Sequence, residues 1–327
     1  MNKQKIANVA FFCIVLALVL VMIYSGLRIL ESTVFHPVRD DGQDTATKTV
    51  IRDGVEYFPR QDITVLMVLG IDKYGPVESS GSYNNSGDAD MVMLLIFDES
   101  DQTCDVLYLN RDTMVEMPIL GFGGRPAGTQ YAQLTLSHTF GSGMEDSCEN
   151  VKKTLEGFLH GLHIDYYVSF HMDSILQIND AVGGVTVNVV DDFTDVDPTI
   201  TKGEYTLMGQ QAITYVQTRK DVGDQLNVTR MERQKEYLTN LLQKFREKGS
   251  SDASFALKLF DSISPYIVTD CSGNVMTSLL NHYSDYKLGE FVTLEGNNVR
   301  GEKYYEFYAD EAALDALVIR LFYAKKK

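Results

Sequence analysis

Two pairs of charged side chains stand where an apolar strand ends or a helix begins. Arg111 and Asp112 follow an apolar run, and Arg230 and Arg233 lie three residues apart just after Thr229. A helix N-terminus presents free N–H groups and partial positive charge, so it favours anions. Guanidinium groups added there indicate a phosphate-like ligand. A solvated helix face with surface ion pairs is an equally good interpretation of Arg230 and Arg233 alone.

Two further segments concentrate charge beside apolar stretches. Asp88 and Asp90 stand where a loop meets the apolar run MVMLLIFD. An Asp-x-Asp pair binds metal in nucleotide-sugar glycosyltransferases, but there it ends a strand, and here it begins one. Loop decoration therefore stays open as an interpretation. The other segment follows a predicted helix and contains Arg219, Lys220, Asp221 and Asp224.

The elements that would position these residues alternate between strands and helices. Apolar and alternating runs predict strands at 63–72, 91–98, 104–110, 165–170, 185–190, 289–295 and 303–308. Helical patterns occur at 129–140, 145–160, 171–182, about 209–217, from Thr229 onward, 252–262, 274–284 and 310–323. This order predicts one α/β domain with a mixed sheet and helices on both faces.

The N-terminus predicts a membrane anchor. Residues 6–27 carry no charge, and as a helix they would extend about 33 Å, against a hydrocarbon core of about 30 Å. Lys3 and Lys5 favour a cytoplasmic N-terminus, although Arg28 weakens the bias. We therefore predict a cytoplasmic tip and single transmembrane helix (1–30), an extracellular stalk (31–60) and a catalytic domain (61–327), at the cell membrane.

Composition restricts the partners. The net charge of −16 opposes binding to nucleic acid and broad adhesion to anionic membrane surfaces. Beyond the anchor the chain has three cysteines, Cys104, Cys148 and Cys271, without a C-x-x-C spacing. Neither a zinc site nor a disulfide framework is predicted. Two alternatives remain open for these cysteines: one disulfide between two of them, or buried free thiols.

Eight motifs in a fixed order resemble the LytR–CpsA–Psr (LCP) family of cell-wall enzymes, with this chain a divergent member. They cover about residues 65 to 245. The motifs are VLMVLGID (65–72), DADMVML (88–94), LNRDTMVEMP (109–118), LSHTFGSG (136–143), DYYVSF (165–170), AVGGVTVNV (181–189), KGEYTLMGQQAITYVQTRK (202–220) and GDQLNVTRMERQKEYL (223–238).

The resemblance implies an extracytoplasmic transferase. Such an enzyme takes a phosphoglycan, for example teichoic acid or capsule, from a polyprenyl-pyrophosphate carrier and joins it to a peptidoglycan hydroxyl, with Mg²⁺ assisting. The implied fold is a three-layer αβα sandwich with a hydrophobic channel for the lipid. Apolar residues expected to wall that channel are Leu95, Phe97, Phe158, Leu159, Ile175 and Leu238.

The family's functional residues have counterparts here. The resemblance implies Asp90 and Asp112 as Mg²⁺ ligands and Arg111, Asp112 and Arg219 as catalytic residues. The residues implied to bind pyrophosphate are Arg111, Arg219, Arg230, Arg233 and Gln234. These types suit the chemistry, because the departure of a phosphate group requires neutralisation of its charge.

Three positions depart from the family pattern. Asp88 and Gln217 stand where the family has arginines, and Gln133 falls about where a lysine is common. Each change removes positive charge from the expected site. Two hypotheses follow: a phosphoglycan transferase, and an anchored protein that binds polyprenyl-linked glycans with little or no transfer. A transcriptional regulator, suggested only by the family's historical naming, is opposed by the predicted anchor and the net charge of −16.

Overall fold

The structure, a computed structural model, describes residues 49–52, 54–121, 124–218, 220–223, 227–251, 255–272, 275, 279, 282–283 and 286–325. Its strands are β1 (Val50–Arg52), β2 (Val55–Pro59), β3 (Ile63–Ile71), β4 (Ala89–Asp98), β5 (Thr103–Leu109), β6 (Met114–Leu120), β7 (Pro126–Gln133), β8 (Tyr166–His171), β9 (Val185–Val189), β10 (Gly203–Leu207), β11 (Ile267–Thr269), β12 (Lys287–Thr293), β13 (Gly296–Arg300), β14 (Tyr305–Ala309) and β15 (Tyr323–Lys325). Its α-helices are α1 (Glu145–Phe158), α2 (Met172–Ala181), α3 (Gln210–Gln217), α4 (Asn227–Ser251), α5 (Phe255–Ile263) and α6 (Glu311–Phe322). Two 3₁₀-helices cover Leu134–His138 and Ser264–Tyr266.

Six strands form the central sheet, in the order β11-β8-β3-β4-β5-β12. The pairs β3–β4, β4–β5 and β11–β8 are antiparallel, whereas β3–β8 and β12–β5 are parallel. Strands β3 and β4 are buried along nearly their whole length, as their continuous apolar sequences require when both sheet faces are covered. The sheet is therefore mixed, as predicted.

Helices cover both faces of this sheet. Along β3, Leu66 and Val68 join a core with α2, α3, α4 and α5. The alternate residues Val65, Met67 and Leu69 join a second core with α1 and α6. Burying each such side chain contributes roughly 1.5–3 kcal/mol. The predicted α/β fold, with a mixed sheet flanked by helices, is confirmed.

The prediction of a helix over 129–140 is wrong. Residues 126–133 form β7, which pairs antiparallel with β6, and a 3₁₀-helix follows at Leu134–His138. Gly128, Thr129 and Tyr131 disfavour a helix. Most of β7 is exposed, so it lacks the apolar periodicity that reveals a buried strand. The hairpin β13–β14 likewise contains one unpredicted strand, β13.

The N-terminal boundary also differs from the prediction. Val50–Arg52 and Val55–Pro59, placed in the predicted stalk, form β1 and β2, and β2 pairs antiparallel with the C-terminal strand β15. The folded region thus begins before residue 61. The predicted anchor and the rest of the stalk lie outside the described residues, as does most of the helix predicted at 274–284. Among the helices described, none is long and apolar enough to cross a membrane.

The three cysteines of the domain are free thiols. Cys104, Cys148 and Cys271 are all buried. Burial raises the pKa of the Cys148 and Cys271 thiols to about 12. Of the two alternatives left open by the sequence, the structure has buried thiols, which remain protonated at neutral pH.

Candidate functional site

The charged segments meet at one edge of the central sheet. Because β4 runs antiparallel to β3 and β5, its first residues lie beside the ends of both neighbours. Asp90 is the second residue of β4, and Arg111 and Asp112 come just after β5. The start of α4 adds Arg230 to the same place, where it bonds Asp90. Residues far apart in sequence thereby form one cluster.

Asp90 is the centre of a buried ion-pair network. One of its carboxylate oxygens, Oδ1, accepts a hydrogen bond from Arg111 Nη1. The other, Oδ2, accepts from Arg230 Nη1 at 2.9 Å, and Arg230 Nη2 donates to the Asp90 backbone carbonyl at 3.3 Å. Only 3% of Arg230 and 7% of Asp90 are exposed. Burial lowers the pKa of Arg230, but a guanidinium remains charged at neutral pH.

Asp112 is almost completely buried beside Arg111. Its Oδ1 lies 3.4 Å from Arg111 Nε and accepts a hydrogen bond of 3.1 Å from Gln133 Nε2. Asn110 Oδ1 accepts from the Asp112 backbone N–H at 3.0 Å. Arg111 therefore lies between the two predicted magnesium ligands. Gln133 supplies Asp112 with a neutral donor.

Arg233 binds elsewhere. Its Nη1 pairs with Asp191, its Nε donates to the Tyr215 carbonyl at 3.3 Å, and its Nη2 donates to the Thr218 carbonyl. The guanidinium also lies 5.4 Å from the centre of the Phe193 ring. These contacts fasten α4 to the end of α3 and to the segment after β9. Arg233 thus holds the backbone at Thr218, the residue before Arg219.

Arg219 itself lies outside the described residues. Gln234 is described and buried: its Oε1 accepts from the Tyr108 hydroxyl, and its Nε2 donates to the Val216 carbonyl at 2.9 Å. Gln234 thereby connects β5, α3 and α4 beside the cluster.

Asp72 is a site residue that sequence reasoning missed. It directly follows β3, and its Oδ1 accepts a hydrogen bond of 2.6 Å from Gln217 Nε2. Gln217 Oε1 in turn accepts from the Tyr74 hydroxyl at 2.9 Å. The signal was available, because Asp72 ends its strand at the same sheet edge as Arg111.

Asp88 adds another acid to this edge. Burial raises the pKa of its carboxyl, the charge of Arg111 opposes that shift, and the charge of Asp72 adds to it. Asp88 and Gln217 thus place a carboxyl and a neutral amide at two positions where the resemblance implies arginines.

The carboxylates fit magnesium only together with a ligand. Within the described residues, no group of three or more His, Cys, Asp or Glu side chains is arranged to hold a metal ion. Asp90 and Asp112, however, both face the one cationic group of Arg111. Magnesium commonly uses one or two carboxylates and completes its octahedron with phosphate oxygens and water. The donor set fits that pattern.

An apolar cavity of about 70 Å³ lies between the sheet and helices α2, α3 and α4. Its polar end is formed by Asp90, Gln217 and Gln234. The remaining lining residues are Gly70, Met91, Phe170, Met172, Ser174, Ile175, Ile178, Val216, Tyr237, Leu238 and Leu241. We refer to this space as the apolar cavity. Its wall is predominantly hydrocarbon, and its polar end adjoins the charged cluster.

Two of the six residues predicted to wall a lipid channel line the apolar cavity. Ile175 and Leu238 line the apolar cavity. Leu95 and Phe97 belong to the core on the same sheet face without lining it. Phe158 and Leu159 belong to the core on the opposite face, because the sequence did not specify which face each helix covers.

A mixed α/β sheet with an apolar cavity and a buried arginine–carboxylate cluster at its mouth defines the class of this protein. The chain belongs to the LytR_cpsA_psr family, whose model matches residues 34–321. The family predicted from the eight motifs is confirmed.

Several relatives are described as transferases. This chain is 25% identical over 285 residues to the polyisoprenyl-teichoic acid–peptidoglycan teichoic acid transferase TagU of Bacillus licheniformis, covering 85% of this chain and 83% of the relative. It is 24% identical over 298 residues to TagV of Bacillus subtilis, described in the same words, covering 89% and 71%. An uncharacterized protein of Staphylococcus aureus is 27% identical over 251 residues; the match covers 74% of this chain and spans 58% of that relative.

Solved structures share the fold. A structure of TagT bound to LIIa-WTA has a TM-score of 0.58 and 23% identity, with 80% of this chain and 90% of that chain covered. Protein gbs0355 from Streptococcus agalactiae has a TM-score of 0.62 and 19% identity, with 80% and 86% covered.

Proposed function

We propose that this protein transfers a phosphoglycan, such as teichoic acid or capsule, from a polyprenyl-pyrophosphate carrier to a peptidoglycan hydroxyl. One observation carries the proposal: the apolar cavity ends at Asp90 and Gln234, beside the guanidinium groups of Arg111 and Arg230. A polyprenyl pyrophosphate has the same division, because it joins a long apolar chain to a charged headgroup. The transferase relatives of this chain support the same substrate class.

In the proposed reaction the acceptor hydroxyl oxygen attacks the phosphorus that carries the glycan. The bond between that phosphorus and the bridging oxygen breaks, polyprenyl phosphate leaves with the electron pair, and the hydroxyl proton passes to water. Arg111, Arg230 and Arg219 would bind the phosphate oxygens and stabilise the charge that develops on them. Asp112 would orient Arg111 through their contact at 3.4 Å.

Asp90 and Asp112 are the residues that would hold Mg²⁺. When bound, the ion would neutralise charge on the pyrophosphate. Arg230 and Arg111 occupy both oxygens of Asp90 in the structure, so the proposal requires them to exchange part of that contact for phosphate. Gln234 would support the cavity mouth, and Arg233 would hold the neighbouring segment through Thr218.

The second candidate is a protein that binds lipid-linked glycans without transferring them. The observation that favours it is the acidity of the site, where Asp72 accepts a hydrogen bond from the neutral Gln217 and the carboxyl of Asp88 lies near that of Asp72. In this alternative the apolar cavity still takes the lipid, but the charge available to stabilise a departing phosphate is insufficient.

The proposed location follows from the predicted anchor. Residues 6–27 would cross the cell membrane once, with the N-terminus in the cytoplasm and the catalytic domain outside. The lipid carrier and the peptidoglycan acceptor would then be on the same side as the site.

A reconstituted transfer assay distinguishes the two candidates. Full-length protein in detergent is given a labelled polyprenyl-pyrophosphate-linked glycan, peptidoglycan and Mg²⁺, and both polyprenyl phosphate and labelled peptidoglycan are measured. A transferase releases polyprenyl phosphate only with Mg²⁺, and Asp90→Ala and Arg219→Ala abolish the release, whereas Lys202→Ala, at an exposed position, does not. Binding of the lipid by the wild type without Mg²⁺-dependent turnover identifies the binding protein instead.

A further inference from the structure

A second pocket lies next to the apolar cavity. Its volume is about 290 Å³. We call it the side pocket, and its lining residues are Tyr108, Asn110, Met231, Glu232, Lys235, Phe291, Thr293, Leu294 and Phe307. The apolar cavity is lined from β8, β3 and β4 of the central sheet, whereas the side pocket is lined from β5 and β12 of that sheet and from β14 of the separate β13–β14 hairpin.

The hydrogen bond from Tyr108 to Gln234 separates the two spaces. Tyr108 lines the side pocket, and Gln234 lines the apolar cavity. On α4, Gln234, Leu238 and Leu241 face the apolar cavity, while Met231 and Lys235 face the side pocket. Asp90 lines the apolar cavity, and Asn110, the residue before Arg111, lines the side pocket, so the charged cluster adjoins both spaces.

The lining of the side pocket suits a sugar. Lys235 Nζ lies 4.6 Å from the centre of the Phe291 ring, which presents a half-buried aromatic surface. Asn110, Thr293 and Glu232 add an amide, a hydroxyl and a carboxylate. An aromatic ring can cover the C–H face of a sugar while polar groups bond its hydroxyls.

The side pocket directly contacts the backbone of the candidate site. Asn110 Oδ1 accepts from the Asp112 N–H at 3.0 Å, and the Phe307 N–H donates to the Asp112 carbonyl at 2.8 Å. Asn110 is also the residue before Arg111. A hydroxyl held in the side pocket would therefore lie close to phosphate bound by Arg111.

We propose that the side pocket binds the acceptor sugar and directs its hydroxyl at the phosphorus. This inference rests on the proposed function. Phosphoryl transfer requires the attacking and leaving oxygens roughly in line. If polyprenyl phosphate leaves toward the apolar cavity, the acceptor hydroxyl must approach from the opposite side, beyond the hydrogen bond between Tyr108 and Gln234. The side pocket is the space on that side, and the donor's lipid has its own cavity.

Two-substrate kinetics test the proposal. The acceptor is a peptidoglycan tetrasaccharide of alternating N-acetylglucosamine and N-acetylmuramic acid, and the donor is the labelled lipid-linked glycan. For Phe291→Ala we expect the acceptor KM to rise roughly tenfold, because an aromatic contact is lost, with the donor KM unchanged. Gln243→Ala, on an exposed part of α4, is the matched control. A rise in the donor KM alone, or no change in an active enzyme, overturns the assignment while leaving the transferase intact.

Chemical footprinting by lysine acetylation tests acceptor binding on the wild-type protein. It depends neither on turnover nor on whether a variant folds. Lys235 lines the side pocket and is partly exposed, so the rate at which its amine is acetylated reports whether the pocket is occupied. Saturating tetrasaccharide should slow acetylation of Lys235 several-fold and leave the exposed Lys202 unaffected. Protection by the tetrasaccharide without any transfer supports acceptor binding and counts against the transferase. Protection by the donor only, or by neither ligand, overturns the assignment.

Discussion

Asp90 holds two arginines with one carboxylate. Its two oxygens separately contact Arg111 and Arg230, and all three groups are largely removed from water. Removing one member of a buried ion pair is costly, because the remaining charge is poorly solvated. Asp90 therefore has a structural contribution that must be separated from any contribution to chemistry.

We expect Asp90→Asn to lower the free energy of unfolding by about 3 kcal/mol, since Arg230 loses the carboxylate that faces it. Chemical denaturation measures the loss. The control is Glu290→Gln, which removes an exposed pair with Arg320 and should cost at most about 1 kcal/mol. Equal losses for the two variants would contradict the view that Asp90 stabilises a buried network.

Gln217→Arg tests whether missing positive charge limits the site. Gln217 already donates to Asp72 at 2.6 Å, so an arginine there would have a carboxylate partner and would add charge near the cavity mouth. Charge-assisted hydrogen bonds are about twice as strong as neutral ones. We expect kcat/KM for the lipid-linked donor to rise roughly fivefold to tenfold.

The matched variant Gln217→Glu should move the same constant in the opposite direction, because it adds another acid beside Asp72. Both constants come from the release of polyprenyl phosphate at limiting donor. An arginine variant that folds and turns over no faster than the wild type would show that charge at position 217 is not limiting.

The buried imidazole of His138 should make the folded state less stable in acid. It is 1% exposed, with Nδ1 2.7 Å from the Gly87 carbonyl, and burial lowers its pKa to about 4. The folded state favours neutral imidazole, so stability is unaffected above the usual pKa of about 6.5 and falls as the pH drops from there toward 4. From pH 7 to pH 4.5 this group alone should remove about 2–3 kcal/mol.

Urea denaturation at the two pH values checks this expectation against His138→Asn. The variant keeps a donor for Gly87 but cannot titrate in this range. Its stability should therefore depend less on pH than that of the wild type. An identical pH dependence in both proteins would assign the acid sensitivity to other groups.

At the scale of elements, burial decides what could be predicted. Strands β3 and β4 are continuous apolar runs covered on both faces, and their sequences alone identify them. Strand β7 is exposed over its first six residues and gains its structure from pairing with β6. Strands β1, β2 and β15 are short, and their pairing joins opposite ends of the domain. Such pairing has no local signature.

The candidate site likewise contains residues with a local sequence signal and residues without one. Asp90, Arg111 and Asp112 could be singled out because charge at the start or the end of an apolar strand is a local feature. The partner of Arg233 could not, since Asp191 lies 42 residues earlier and meets it only through the packing of α4. Tyr108 was hidden for another reason: inside a buried strand it looks like an ordinary core residue.

The apolar cavity between α2 and α4 can be blocked by one substitution. Leu238 lines it and is only partly buried in the core, so Leu238→Trp should fill space that the proposal assigns to lipid. We expect binding of the lipid-linked donor to weaken at least roughly tenfold, with overpacking costing about 1–3 kcal/mol of stability. Donor affinity is measured directly, by titration in detergent.

Gln243→Trp is the control, because it places the same side chain at an exposed position of α4. It should leave donor affinity and melting temperature near those of the wild type. Unchanged donor affinity in a folded Leu238→Trp protein would remove the apolar cavity as the lipid site.

At the scale of the whole molecule, the two ends of the described chain close on each other. Strand β2 pairs with β1 on one side and with β15 on the other. The segment that enters the domain from the predicted anchor is thus held by the last strand. This small sheet therefore joins the start of the described domain to its end, whereas the charged cluster lies on the central sheet.

Ending the chain after Phe322 tests this separation. The truncation removes Tyr323, which is buried and pairs with Pro59, together with the backbone bonds of β15. The loss should be about 2–4 kcal/mol, from the aromatic burial and a few hydrogen bonds. At this size the melting temperature should fall by roughly 5–10 °C. Removing only residues 326–327 is the control and should change the melting temperature little.

Well below the melting transition the truncated protein should bind the lipid-linked donor as the full chain does, because Asp90, Arg111 and Arg230 belong to β4, the end of β5 and α4. Parallel loss of donor affinity and stability would instead show that the terminal sheet and the site form one cooperative unit.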